Sequence, residues 1–74
     1  MDWRQHIVSD PDILAGKPVV RGTRLSVDFL LGLLAAGWTE SEVQENYPQL
    51  TADALRAVFS FANEAIADEA RTRY

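Results

Sequence analysis

The sequence SVDFLLGLLAAGWTESE, residues 26–42, contains an apolar helix and the start of a second one, separated by a glycine. Ser26 is a good N-cap for a first helix over about Val27 to Ala36, because its hydroxyl can accept a hydrogen bond from the first turn. Gly37 is the natural stop, since glycine readily adopts the left-handed conformation that ends many helices. The helix has almost no polar face, which predicts that it is central and buried.

Two further helices are predicted from their caps. Thr39 followed by Glu42 matches the capping box, which predicts a short second helix ending near Asn46. Thr51 caps a third helix, which should extend from Ala52 to about Arg71.

The third helix has a wide apolar face. Steps of 100° per residue place four side chains in one stripe, the predicted core-facing seam: Leu55, Phe59, Ala62 and Ile66. Other apolar residues widen this face towards half the circumference, and one neighbouring layer in so small a chain can hardly cover it. We therefore expect a homodimer, with an interface formed by Val58, Phe61, Ala65 and Ile66.

The first 25 residues alternate turn-forming clusters with very short β-prone segments. These segments are His6-Ile7-Val8, Ile13-Leu14 and Pro18-Val19-Val20. Strands this short cannot stand alone, so we expect a small hairpin or irregular ribbon against the helices, with Gly16 and Gly22 at positive φ. The predicted fold is mainly α: a single domain over residues 1–74, with a β-ribbon in 1–25 and a three-helix unit in 26–74.

Composition excludes several classes of protein. The 74 residues are 47% hydrophobic and 24% charged, as in an ordinary globular domain, and contain no cysteine for disulfides or thiolate metal sites. The longest apolar run, residues 29–36, is too short to cross a membrane, so no membrane partner is expected. The N-terminus lacks the pattern of a secretory signal, which makes the cytoplasm the expected compartment.

Charge is distributed unevenly along the chain. The net charge of −4 disfavours general nucleic-acid binding, which relies on excess lysine and arginine. Residues 1–27 nevertheless hold four basic and three acidic residues, whereas residues 28–74 hold three basic and eight acidic ones. An anionic partner should therefore meet the N-terminal third.

The order of the three helices is compatible with a helix-turn-helix DNA-binding domain. In this interpretation the third helix enters the major groove, with Thr51 and Arg56 at its start as DNA contacts, because arginine can form a bidentate contact to guanine. Three-helix domains of many functions share the pattern, so a packing module in which Arg56 is only a solvated residue stays open.

The sequence GKPVVRGTR, residues 16–24, concentrates three of the seven basic residues, Lys17, Arg21 and Arg24. The segment does not match the phosphate-binding Walker loop, because in a Walker loop the lysine follows the second glycine. Two interpretations remain. The segment is either a turn-rich ribbon whose arginines are solvated or paired with acids of the later helices, or a basic wing that contacts DNA phosphates.

Catalysis has little support in the sequence. His6 is the only histidine, no cysteine is available as a nucleophile, and no serine lies beside a plausible base in sequence. One histidine and scattered carboxylates do not make a convincing metal site. We expect no enzymatic activity, no cofactor and no bound metal.

Several motifs together resemble a known family. They are IVSDP at 7–11, GKPVVRGTRLSV at 16–27, LLAAGWT at 33–39, YPQLT at 47–51 and LRAV at 55–58. From Ile7 to about Ile66 the chain resembles the domain-of-unknown-function family numbered 433, and the glycine-rich basic segment is its most specific motif.

The resemblance implies a helix-turn-helix, winged-helix-like fold without catalytic residues. Several members resemble VapB-type antitoxins. This implies a dimeric antitoxin of a type II toxin–antitoxin system, which neutralises a PIN-like ribonuclease toxin and represses its own operon by binding operator DNA. The alternative is a small dimeric protein-interaction adaptor that does not bind DNA.

Overall fold

The computed structural model of the chain describes residues 2–72, with side chains described for residues 2–67. It contains the strands β1 (Ile7–Val8) and β2 (Val19–Val20) and the helices α1 (Val27–Ala35), α2 (Glu40–Asn46) and α3 (Ala52–Thr72), with short 3-10 turns at Trp3–Gln5 and Leu14–Gly16. The strands pair antiparallel, with Ile7 opposite Val20 and Val8 opposite Val19. The prediction of a mainly α fold with a short β-ribbon is confirmed.

Local hydrogen bonds explain why α1 begins and ends where it does. The Ser26 hydroxyl accepts a hydrogen bond from the Phe29 N–H at 3.2 Å. At the other end Gly37 has φ +102°, and the N–H groups of Gly37 and Trp38 donate to the carbonyls of Leu34 and Leu33, both at 3.1 Å. This pair of bonds is the Schellman motif, which satisfies carbonyl groups that the helix leaves free.

The caps of α2 and α3 also form as predicted. The Thr39 hydroxyl accepts from the Glu42 N–H at 3.1 Å, and the Glu42 carboxylate accepts from the Thr39 N–H at 3.0 Å, which completes the capping box. The Thr51 hydroxyl accepts from the Ala54 N–H at 3.0 Å. These caps determine the residues at which α2 and α3 begin.

The segment between the strands departs from the prediction. Ile13-Leu14 is not a strand: Leu14, Ala15 and Gly16 have φ of +49°, +55° and +84° and form a left-handed turn. The Gly16 N–H donates to the Ile13 carbonyl at 3.0 Å and the Lys17 N–H to the Leu14 carbonyl at 3.2 Å. The chain must reverse between two antiparallel strands; the Ile13 N–H donates to the Asp10 carbonyl at 2.9 Å in a first turn, and the left-handed turn completes the reversal. The predicted positive φ of Gly16 is confirmed.

The core draws on every main element. Its buried residues are Ile7, Val20, Val27, Leu30, Val43, Leu50, Ala54, Leu55, Ala57 and Val58. Only Val27 and Leu30 come from α1, while Phe29 is 44% exposed. The prediction that α1 is the buried centre of the fold is therefore wrong, because its neighbours cover one side of it only.

The core-facing side of α3 also differs from the predicted stripe. Leu55 and Val58 are buried, but Phe59 is 39% and Ile66 67% exposed. The ribbon and the turn at residues 3–5 pack against a face of α3 that is rotated by about a quarter of a turn from the predicted one. Val58 lies at the centre of this face and has no exposed surface, so its assignment to a dimer interface is wrong.

Candidate functional site

The loop at residues 20–25, which we call the cationic loop, has a fixed geometry. The Thr23 N–H donates to the Val20 carbonyl at 3.0 Å, and the Thr23 hydroxyl donates to the same carbonyl at 2.8 Å while accepting from the Leu25 N–H at 3.0 Å. Gly22 has φ +79°, as predicted, which corresponds to the third position of a type II turn. The loop is therefore held by its own hydrogen bonds.

Arg21 and Arg24 project from the cationic loop and are exposed. None of the ion pairs formed among the side chains of residues 2–67 includes either arginine. The Arg21 N–H donates to the His6 carbonyl at 2.7 Å, which ties the loop to the start of β1. The two guanidinium groups are thus exposed to solvent on a backbone that is held by hydrogen bonds within the loop and by the bond to His6.

Lys17 lies outside the cationic loop. Its ammonium group is 3.3 Å from the Asp28 carboxylate, and both side chains are exposed. A hydrogen bond with Ser26, followed by the interaction with Lys17, holds the pKa of Asp28 below its usual value. Along an extended strand Lys17 is roughly 13 Å from Arg21, so the predicted basic cluster is divided between two places.

The start of α3 carries the other predicted DNA contacts. Arg56 is exposed, whereas the Thr51 hydroxyl is already engaged by the Ala54 N–H at the helix cap. Four exposed carboxylates lie on the same two helices, Asp53 in the first turn of α3 and three on α2: Glu40, Glu42 and Glu45. The second and third helices that a helix-turn-helix would use therefore bring these four carboxylates together with Arg56.

An apolar groove of about 410 Å³ lies between α1 and α3. Its lining residues are Lys17, Pro18, Val27, Asp28, Leu31, Phe61, Ala62, Ala65 and Ile66. Three of the four residues predicted for a dimer interface, Phe61, Ala65 and Ile66, thus come together on one surface. The pair Lys17 and Asp28 provides the charged part of the groove lining.

The N-terminus is fastened to α3 by a contact that the sequence did not indicate, which we call the N-terminal clasp (Trp3, Arg4 and Glu64). The Trp3 indole N–H donates to the Glu64 carboxylate at 2.5 Å, and Arg4 donates to the same carboxylate at 3.3 Å. The Trp3 ring packs edge-on against Phe61, with 4.8 Å between the centroids. The hydrogen bond from Trp3, followed by the charge of Arg4, lowers the pKa of Glu64.

Among residues 2–67, no three histidine or acidic side chains lie close enough together to hold a metal ion. No helix in the described part of the chain is long and apolar enough to span a membrane.

The helices, the ribbon and the cationic loop define a small mainly α domain. The model of one family, described as "Protein of unknown function (DUF433)", matches residues 7–62, and the chain belongs to this family. The chain is 29% identical to a DUF433 member protein from Anabaena variabilis, whose crystal structure it matches with a TM-score of 0.78 over 89% of this chain and 65% of that one.

A curated relative is an uncharacterized protein, y4eO, from Sinorhizobium fredii. It is 41% identical to this chain over 59 residues, which are 80% of this chain and 27% of the relative. The chain therefore spans about a quarter of that protein.

Proposed function

We propose that the protein is an antitoxin of a type II toxin–antitoxin system, a cytoplasmic non-enzymatic regulator that binds its own operator DNA and neutralises a PIN-like ribonuclease. The observation that carries the DNA-binding part is the presentation of Arg21 and Arg24, exposed and outside the ion pairs of the described side chains, on the fixed cationic loop. Guanidinium groups bind phosphate through paired hydrogen bonds, and a preorganised loop loses little conformational freedom on binding.

The distribution of charge indicates how DNA would be contacted. The carboxylates on α2 and at the start of α3 oppose close approach of phosphates, so the cationic loop supplies most of the backbone contacts and Arg56 a single contact from α3. Two copies of the chain on adjacent half-sites would place four loop arginines on phosphates. Their binding constant should then fall with salt with a logarithmic slope of about −4.

The acidic surface of α2 supports the toxin-binding part of the proposal. Glu40, Glu42 and Glu45 are exposed on one short helix, and a nuclease groove shaped for phosphates attracts negative charge. Complementary charge would accelerate the encounter of the two proteins. The partner would thus approach from a part of the molecule distinct from the cationic loop.

The DNA-binding part can be tested by fluorescence anisotropy with the protein's own promoter as a duplex, titrated at several salt concentrations. The R21A/R24A double variant should bind more weakly and with a flatter salt dependence, because each lost phosphate contact reduces the slope by about 0.9. Arg4→Ala serves as the control for a change in net charge, since Arg4 belongs to the N-terminal clasp and not to the loop. Binding by R21A/R24A that equals the wild type would overturn the proposal.

The toxin-binding part needs a separate experiment. The purified protein should inhibit a PIN-like ribonuclease encoded by the adjacent gene at micromolar concentration. A variant with glutamine at positions 40, 42 and 45 should associate more slowly, and glutamine retains the capping box at position 42. Absence of inhibition by the wild type would contradict this part alone.

A small dimeric adaptor that does not bind DNA is the second candidate, favoured by the acidic surfaces of α2 and the start of α3. An adaptor requires no free cations, and internal pairing of Arg21 and Arg24 with acids would have supported it. If the protein self-associates but the promoter duplex is not bound at low salt, the adaptor replaces the DNA-binding proposal.

A further inference from the structure

We propose that the groove between α1 and α3 receives a second copy of this chain, in a two-fold symmetric dimer in which Ile66 of each copy enters the groove of the other. This inference goes beyond the proposed function, because self-association through the groove would hold with or without DNA or toxin.

The first observation is that α3 is longer than the part of it that packs against the core. Val58 is fully buried, whereas Ala65, two turns further along the same face, is exposed. Ile66 is 67% exposed, more than any other large hydrophobic side chain described. The apolar face of α3 thus continues beyond the part that its own chain buries.

The second observation is that the groove is lined by apolar side chains of both α1 and α3, among them the exposed Ile66. Val27 and Leu31 of α1 line one wall, Ala62, Ala65 and Ile66 of α3 line the other, and the Ile66 side chain is largely exposed. Alanines let a second helix approach closely. In a two-fold interface each surface is used twice, so the groove of one copy receives Ile66 of the other.

The charges of the groove favour a second copy over a charged partner. Lys17 and Asp28 contribute one positive and one negative charge to the lining, 3.3 Å apart and both exposed. A two-fold axis can set Lys17 opposite Asp28 of the second copy and the reverse, which makes this part self-complementary. A strongly acidic or basic partner gains no such match, because the pair has no net charge.

The size of the groove indicates a weak dimer. A cavity of about 410 Å³ admits only a few apolar side chains from each copy. Interfaces at the low end of stable complexes bury roughly 600 Å² per partner, compared with a total surface of 5136 Å² for this chain. We therefore expect the dimer to dissociate in the micromolar range.

Sedimentation velocity of the full chain without DNA, from about 1 to about 500 µM, tests the inference. The wild type should convert from monomer to dimer within this range, and Ile66→Glu should remain monomeric. Phe29→Glu is the matched control, because Phe29 is 44% exposed on the opposite side of α1 and packs against Tyr47 instead of lining the groove. Circular dichroism would verify that both variants are folded.

Charge exchange gives a second readout at the same surface. Lys17→Asp places two carboxylates in the lining of each groove and should weaken the dimer by about tenfold, equivalent to ~1.4 kcal/mol. The combined K17D/D28K variant restores one charge of each sign and should recover the dimer. A wild type that is monomeric throughout, an Ile66→Glu variant that still dimerises, or a K17D/D28K variant no better than Lys17→Asp would each overturn the inference.

These results are independent of the proposed function. The promoter titration with R21A/R24A uses residues outside the groove, so an intact dimer whose R21A/R24A variant binds the promoter as well as the wild type does identifies a failure of the DNA proposal alone. A monomeric wild type that binds the promoter identifies a failure of the groove inference.

Discussion

Replacing two glycines by alanine should change stability in opposite directions. Gly22 has φ +79° and no atom within 4 Å of the position of an added Cβ, so Gly22→Ala meets only backbone strain. That strain costs about 1–2 kcal/mol, and the reduced freedom of the unfolded chain offsets about 0.4–1 kcal/mol of it. We expect a net loss near 1 kcal/mol in the free energy of unfolding.

Gly32 offers the matched comparison. It lies inside α1, is exposed, and likewise has no atom within 4 Å of an added Cβ, but its φ is not positive. Gly32→Ala should therefore stabilise the protein by roughly 0.5–1 kcal/mol, because alanine is the better helix former.

Thermal unfolding followed by circular dichroism distinguishes the two variants. For a domain of this size 1 kcal/mol corresponds to a Tm change of about 4–8 °C, so the two variants should lie on either side of the wild type. Protein concentration must be the same in every sample, because self-association raises the apparent stability. A Gly22→Ala variant as stable as the wild type would show that the cationic loop does not hold a left-handed residue, and the argument for a preorganised pair of arginines would fail with it.

Three other predictions concern the caps, the N-terminal clasp and the core. Thr39→Ala should lower the free energy of unfolding by about 1 kcal/mol through loss of the capping box, whereas Ser41→Ala in the same helix should not destabilise it; urea denaturation compares them. Because the pKa of Glu64 is lowered in the folded chain, its contribution to stability should be complete above the ordinary glutamate pKa of ~4.3 and lost as pH falls through the lower folded value. Urea denaturation at several pH values should report this loss, and Glu64→Gln should show a smaller pH dependence; equal pH profiles would exclude the clasp as its source. Val58→Ala should cost about 1–3 kcal/mol, since it removes fully buried methyl groups, and should leave the monomer–dimer equilibrium unchanged, in contrast to Ile66→Glu.

The helices were predictable because their signals are local. The caps at Ser26, Thr39 and Thr51 form hydrogen bonds to N–H groups three residues away, so the residues that form each bond are visible together in the sequence. Gly22 has the positive φ of a type II turn, and Gly37 has the positive φ of a residue that ends a helix. These features depend little on the rest of the chain.

The burial of the helices was not predictable in the same way. Whether Phe29 is covered depends on which segments pack against α1. The side of α3 that carries Val58 faces the core because the ribbon packs against it, and the ribbon is distant from α3 in the sequence. Trp3 and Glu64 are 61 positions apart, and neither residue type indicates the other. Periodicity identifies an apolar face but does not identify the partner that covers it.

The candidate site was predictable in part. The glycines and arginines of residues 16–24 indicated a turn-rich basic segment, and the structure exposes Arg21 and Arg24, which agrees with both a basic wing and a ribbon whose arginines are solvated. The pairing of Lys17 with Asp28 depends on how the ribbon lies against the start of α1, which is a tertiary contact. The groove likewise arises only when α1 and α3 are packed together.

The attachment of the ribbon to the core has a consequence for proteolytic control. Ile7 and Val20 are buried in the core, and the Arg21 N–H is bonded to the His6 carbonyl, so the position of the loop depends on β1 as well as on the loop's own hydrogen bonds. A protease cut between β1 and β2 would cut the covalent link between the strands while leaving the sequence of every helix intact. The anchoring of the loop to β1 therefore depends on the uncut polypeptide, and a single nick can release the loop from His6 without interrupting a helix.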